Sequence, residues 1–135
     1  MIIENNKDKG RAGLSLAIAY FGSNGYTVSL PINDTQWYDL IVEKDGIFQT
    51  VQCKATSGEI IDFRSTGGTN GGVYDNILNH SELDYLFCVN GELDMWLIPI
   101  KDITTTIQVT LRKEPTKNGQ GFQTYKYRVQ ISDKA

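Results

Sequence analysis

The sequence predicts an α/β domain: a central mixed β-sheet with flanking helices, its elements following an αβββ-αβ-like order. Three observations carry this reading. An apolar stripe at helical spacing opens the chain. β-Branched and aromatic runs with strand-like alternation follow it. Two turn signals, Asp45-Gly46 and Asn90-Gly91, separate neighbouring runs. At 135 residues the chain suits one domain, 1–135, with a hydrophobic core of its own.

The elements follow in order. From about Asp8 to Asn24, Ala12, Leu16, Ala19 and Tyr20 share a helical stripe, with Ala17 and Phe21 beside it. Gly22-Ser23-Asn24-Gly25 stops that helix, because glycine readily takes the left-handed cap conformation. Tyr26–Leu30 reads as a strand ended by Pro31. Trp37–Lys54 then reads as a hairpin turning at Lys44-Asp45-Gly46. Ile60–Arg64 is expected as a further strand or an extension of the third. Residues 65–72 carry four glycines and read as a loop, and about Asp75–Asn79 as a short helix. Leu83–Val89 and Met95–Ile100 are nearly continuous apolar runs, as expected of central strands. Ile107, Val109 and Leu111 alternate with polar residues, 115–121 is a loop, and Tyr125–Ile131 alternates again.

Bulk properties narrow the classes of function. The longest apolar runs fall short of the roughly 20 residues of a membrane span, so no transmembrane helix is expected. The start, Met1-Ile2-Ile3-Glu4-Asn5-Asn6-Lys7, lacks the pattern of a signal peptide, so an intracellular, cytoplasmic setting is expected. There Cys53 and Cys88 are expected as free thiols. Net charge is −3, a weak argument against a nucleic-acid partner. The cations are nonetheless clustered: Lys7, Lys9 and Arg11 near the start, Arg112, Lys113, Lys117, Lys126 and Arg128 near the end.

Several chemistries lack their parts. His80 is the single histidine, so nucleophilic pairs and zinc sites have no recognisable donor set. The glycine-rich stretch lacks a following Gly-Lys-Ser/Thr, and no dinucleotide-binding glycine pattern follows a strand. The hairpin does carry polar groups in a suggestive pattern. Side chains alternate along a strand, so Gln52 and Lys54 share one face while Val51, Cys53 and Ala55 share the other. Asp39 sits among apolar neighbours, where a carboxylate needs a partner. Magnesium prefers oxygen donors, which the Asp39 carboxylate and the Gln52 amide supply. Such an ion offsets charge building on a phosphodiester, and Lys54 adds positive charge or orients water. An exposed polar face with one surface ion pair fits the same spacing.

Asp39, twelve residues, then Gln52-Cys53-Lys54 resembles the motif of the PD-(D/E)-x-K nuclease superfamily, in the branches that place Gln at the acidic position. The similarity is nearest to intron-encoded homing endonucleases, with Holliday-junction resolvases more distant. It extends through Lys9-Gly10-Arg11-Ala12-Gly13, Gly25-Tyr26-Thr27-Val28, Tyr38-Asp39-Leu40-Ile41-Val42, Leu83-Asp84-Tyr85-Leu86-Phe87 and Trp96-Leu97-Ile98-Pro99. It also takes in Leu111-Arg112-Lys113 with Asn118-Gly119-Gln120, and so covers most of the chain. The resemblance implies that Asp39 and Gln52 are metal ligands, that Cys53 offers its main-chain carbonyl, and that Lys54 is the catalytic lysine.

It further implies Mg2+ as cofactor and double-stranded DNA as substrate, cut by a homodimer or homotetramer. Arg64, Lys113 and Lys117 are the candidate DNA contacts. Two features depart from the pattern. Tyr38 stands where the motif's proline would be, and Leu14-Ser15 occupies the place where relatives carry a helix glutamate. Glu4 or Asp8 is the expected stand-in. A junction resolvase or repair nuclease is the alternative within the class. A DNA-binding or assembly protein that has lost the chemistry is the alternative outside it.

Overall fold

The computed structural model describes residues 6–33, 35–66 and 74–131. Helix α1 spans Asn6–Ser23, and its buried stripe is centred on Ala17 and Phe21. Ala12, Leu14, Leu16 and Tyr20 pack partly buried around them. The expected stripe is thus rotated slightly, because Phe21 is the side chain large enough to fill the space beneath the sheet. Gly25, at φ +85°, reverses the chain after α1, and Tyr26 N–H donates to the Phe21 carbonyl at 3.0 Å.

Six strands form the main sheet: β1 (Thr27–Ser29), β2 (Leu40–Lys44), β3 (Ile47–Ala55), then Tyr85–Val89, Met95–Pro99 and Arg128–Val129. Between β3 and Tyr85–Val89 lie three short strands, β4 (Ile60–Asp62), β5 (Arg64–Thr66) and β6 (Tyr74–Asn76). The later ones are therefore β7 (Tyr85–Val89), β8 (Met95–Pro99), β9 (Gln108–Thr110) and β10 (Arg128–Val129). The sheet order is β1-β2-β3-β7-β8-β10. β3 pairs antiparallel with β2 and parallel with β7, which makes the sheet mixed, as expected. The β2–β3 turn has Asp45 at φ +53° and Gly46 at φ +81°, the two positive angles of a tight hairpin turn.

Register settles what each face does. Val51, Cys53 and Ala55 lie opposite Tyr85, Phe87 and Val89 on the α1 side. There Leu40, Val42, Val51, Phe87 and Val89 are fully buried with Ala17 and Phe21. Gln52 and Lys54 lie opposite Leu86 and Cys88 on the far side. Over that far side pack Ile61 and Phe63 from the β4 region and Val109 and Leu111 from the β9 region, with Trp96 and Ile98 beneath. Burying side chains of this size contributes about 1.5–3 kcal/mol each. The second face is covered chiefly by short strands: among the described residues α1 is the α-helix, with 3-10 turns at Ile77–Asn79, Ile100–Asp102, Lys117–Gly119 and Thr124–Tyr127.

Of the two readings of Ile60–Arg64, the separate strand holds: Ile60–Asp62 pairs with β9 as a ribbon, Ile61 opposite Val109, and Arg64 begins β5. Two local expectations change. Asp75–Asn79 splits into the end of β6 and a 3-10 turn, started when Asn76 Oδ1 accepts from Leu78 N–H at 2.8 Å. Thr124–Tyr127 is a 3-10 turn instead of strand, leaving Arg128–Val129 to pair with β8. Buried Thr124 explains that turn: its hydroxyl donates to the Thr110 carbonyl at 2.7 Å and accepts from Arg112 N–H at 2.9 Å. The glycine-rich stretch 67–72 lies outside the described residues.

Candidate active site

The ladder between β2 and β3 ends at Leu40 opposite Val51. One step further, Asp39 continues it by other means. Asp39 N–H donates to the Val51 carbonyl at 2.8 Å, and Asp39 Oδ2 accepts from Cys53 N–H at 2.8 Å. The carboxylate thus takes the place of a ladder carbonyl as the strands part. It pins β3 at Cys53, with Gln52 and Lys54 on either side. Oδ1 carries no hydrogen bond among the described residues and is available to a ligand.

Burial pushes the Asp39 carboxyl above the ordinary carboxylate range, opposed by the Cys53 N–H bond and by the positive charge of Lys54. Asp39 and Lys54 therefore sit in one electrostatic neighbourhood, although no direct ion pair joins them. The Gln52 amide and the Lys54 ammonium have no hydrogen-bond partner among the described residues. Lys54 also lowers the carboxyl of Asp62, behind the larger effect of the Arg64 hydrogen bonds, which bring Asp62 to about 2. Both thiols are raised by burial, so neither Cys53 nor Cys88 is a thiolate ligand near neutral pH. Cys53 retains its main-chain carbonyl for coordination.

A cleft of about 130 Å³ opens beside Asp39, walled by Pro31, Asn33, Gln36 and Tyr38. Asn33 and Gln36 were not singled out in the sequence as neighbours of Asp39, since polar side chains in a loop after proline carry no distinguishing pattern. A larger cavity, about 420 Å³, is lined by Gln49 of β3 together with Asp84, Tyr85 and Pro99, and shares no residue with this cleft. His80 borders that cavity and stacks on Trp37, with ring centroids 4.0 Å apart.

The candidate donors are a carboxylate oxygen, an amide oxygen and a main-chain carbonyl, all hard oxygen atoms of the kind a divalent cation accepts. They carry a single negative charge. Among the described residues no three His, Cys, Asp or Glu side chains gather as a metal cluster. The helix side explains this shortage. Leu14, at the place where the resemblance implies a helix acid, packs into the apolar cluster beneath α1. Asp8 is exposed in the first turn of α1, and Glu4 lies outside the described residues.

The candidate DNA contacts are dispersed. Arg64 clasps Asp62 through Nε at 3.1 Å and a second nitrogen at 2.9 Å. Lys113 pairs with Asp94 at 2.8 Å, an aspartate that Arg128 also meets at 2.8 Å. Lys117 is exposed at the start of the Lys117–Gly119 turn, where Asn118 and Gly119 both have positive φ. None of the described helices is long and apolar enough to cross a membrane.

No curated protein sequence matches the chain. Among solved structures it is similar to "a bacterial homing endonuclease: I-Ssp6803I", with a TM-score of 0.73 and 22% sequence identity. That similarity covers 93% of this chain and 89% of the other, and it shows a shared fold. A model of the PD-(D/E)XK endonuclease family matches residues 4–129, nearly the whole chain. The chain belongs to the PD-(D/E)XK endonuclease family.

Proposed function

We propose that this endonuclease cuts double-stranded DNA at specific sites with Mg2+, in the manner of a homing enzyme, and acts as a homodimer or homotetramer. The observation that carries the reading is the 2.8 Å bond from Cys53 N–H to Asp39 Oδ2. It converts a residue before the strand into a fixed wall of the site, with Gln52 and Lys54 on the same sheet face. Asp39 Oδ1, the Gln52 amide oxygen and the Cys53 carbonyl would hold the ion. When bound there, the ion supplies positive charge to the scissile phosphate and lowers the pKa of a coordinated water.

The protein's own groups do the rest. Asp39, held at Oδ2, presents Oδ1 without losing side-chain freedom at each turnover. Lys54, with no direct ion pair, directs its ammonium to the charge building on the phosphate oxygens and orients the attacking water. The likeness to a protein titled a homing endonuclease supports the site-specific reading. A small domain covers few base pairs, so a long site needs paired copies with matching half-sites.

A second reading, a protein that binds DNA without cutting it, is favoured by the single carboxylate among the described donors. The deciding experiment incubates wild type and Lys54→Ala with plasmid and with four-way-junction DNA, with and without magnesium. Discrete, metal-dependent plasmid fragments from wild type alone are the expected result. Cutting of junctions only would replace homing by resolution. Cutting of neither substrate would favour the second reading, and equal cutting by Lys54→Ala would remove the lysine from the site. A solution mass of one chain would overturn the oligomer.

A further inference from the structure

We propose that the outer face of the β4–β9 ribbon is the base-reading surface, seated in the major groove of duplex DNA, with Gln108 as its specificity-determining residue. This rests on the reading of the chain as a DNA-cutting enzyme.

Placement comes first. The inner residues of the ribbon, Ile61 and Val109, are 2% and 3% exposed and pack over Leu86 and Cys88. Those two lie opposite Gln52 and Lys54 in the sheet register. The ribbon therefore covers the sheet on the face that carries the candidate site, and its outer side chains project on that same side. Alternation dictates which they are: Ile60 opposite Thr110, and Asp62 opposite Gln108.

The chemistry of this outer face is unusual for a solvated ribbon. Ile60 is 51% exposed on a strand otherwise free to carry a polar residue. Gln108 is exposed, and its amide has no hydrogen-bond partner among the described residues. Asp62, the one acid on the face, is neutralised by the two-point clasp of Arg64, so it offers little repulsion to a phosphate backbone. Beside the ribbon lies a cleft of about 190 Å³ lined by Gln108, Thr110, Arg112, Thr116, Gln120 and Phe122. Glutamine and threonine side chains line it together with the Phe122 ring, and Arg112 is its cation.

Such a surface matches a base edge better than a phosphate. The major groove, about 12 Å wide, admits a two-stranded ribbon. A glutamine amide donates to N7 and accepts from N6 of adenine together, and no lysine does both. The exposed Ile60 side chain and the half-buried Thr110 methyl suit the thymine methyl of the same or next pair. Arg112 and Lys117, at the flank, suit the backbone phosphates that fix register. The ribbon then reads an A·T-containing step beside the scissile bond.

The test is a binding selection with the full chain on randomised duplexes in chelator, which needs no cleavage. Wild type should enrich a motif with an invariant A·T pair in each half-site. Gln108→Ala should lose preference at that pair alone, by roughly 5- to 150-fold, with the other positions and the salt dependence unchanged. Gln108→Glu should move the preference toward C, whose N4 amino group donates to a carboxylate. A structural role for Gln108 would lower affinity for all sequences equally, and that result would overturn the proposal. So would an unchanged motif in both variants. Wild type that cuts DNA with metal but enriches no motif would overturn base reading and leave the nuclease intact. Wild type that neither binds nor cuts DNA would overturn the functional reading beneath it.

Discussion

Substituting Asp39 in two ways separates its structural work from its chemical work. Asp39→Ala removes the acceptor of the Cys53 N–H, a bond of 2.8 Å in a partly buried setting. An orphaned donor of this kind costs about 1–3 kcal/mol. At roughly 3–5 °C per kcal/mol for a chain of this size, the melting temperature should fall by roughly 3–15 °C. Asp39→Asn keeps a carbonyl oxygen for the same N–H and removes the charge that burial disfavours. Its melting temperature should stay within a few degrees of wild type.

The sign follows from the raised carboxyl. Folded Asp39 holds its proton more tightly than unfolded Asp39, so its ionisation weakens the metal-free fold as pH rises through this interval. Asn is spared that cost. Both variants should nonetheless lose metal-dependent cleavage by at least about 100-fold, because the charged ligand is gone. Differential scanning fluorimetry with and without magnesium, beside plasmid cleavage, measures both effects. In wild type the stabilisation by magnesium should shrink as pH falls toward the raised Asp39 value, since the ion must displace that proton. Equal destabilisation by Asn and Ala would refute the hydrogen-bond account. Full cleavage by Asp39→Asn would refute the site.

The other predictions concern separate parts of the molecule. Lys54→Ala should retain DNA binding in a gel-shift assay while its single-turnover cleavage rate falls by roughly 100- to 1,000-fold. Lys117→Ala should weaken binding alike for all sequences and reduce the slope of log affinity against log salt by about 1. Asn90, buried, accepts from Glu92 N–H at 3.1 Å and Asp94 N–H at 2.8 Å. Asn90→Ala orphans both, and urea denaturation should show a loss of about 2–4 kcal/mol. Gly46→Val forces a β-branched residue to φ +81° and should cost about 1–2 kcal/mol in the same assay, leaving the cleavage of folded enzyme unchanged.

The hairpin was legible because two independent signals coincide in it. Asp45-Gly46 demands a tight turn, and the alternation on each side sends Val42 and Val51 inward, so turn and register agree. Gln52 and Lys54 inherit their common face from that register. The ribbon was less visible, since three residues at Ile60–Asp62 look alike whether they prolong β3 or leave it. Only pairing with β9, distant in sequence, decides between these. Tyr125 and Tyr127 alternate as a strand would, and the turn there depends on Thr124 reaching Thr110, a tertiary contact. Asp39 was legible as a candidate, but its bond to Cys53 N–H depends on where β2 and β3 part, which local pattern does not encode. The helix acid was not legible because Leu14 is apolar and packs as such, while of the two expected stand-ins Asp8 lies in the first turn of α1 and Glu4 lies outside the described residues.

β3 is the seam between a locally paired half of the sheet and a distantly paired half. Asp39, Gln52, Cys53 and Lys54 all belong to one hairpin, whose closure costs little chain entropy. The ribbon instead joins Ile61 to Val109 across much of the chain. By contact order the hairpin that carries the candidate site is the part able to form early, and the ribbon a part that closes late. Substitutions on the outer ribbon face, at positions such as Ile60 or Gln108, leave the hairpin's own contacts untouched. On the roles proposed above, base reading and chemistry are separated along the chain, and changes to one need not disturb the folding of the other.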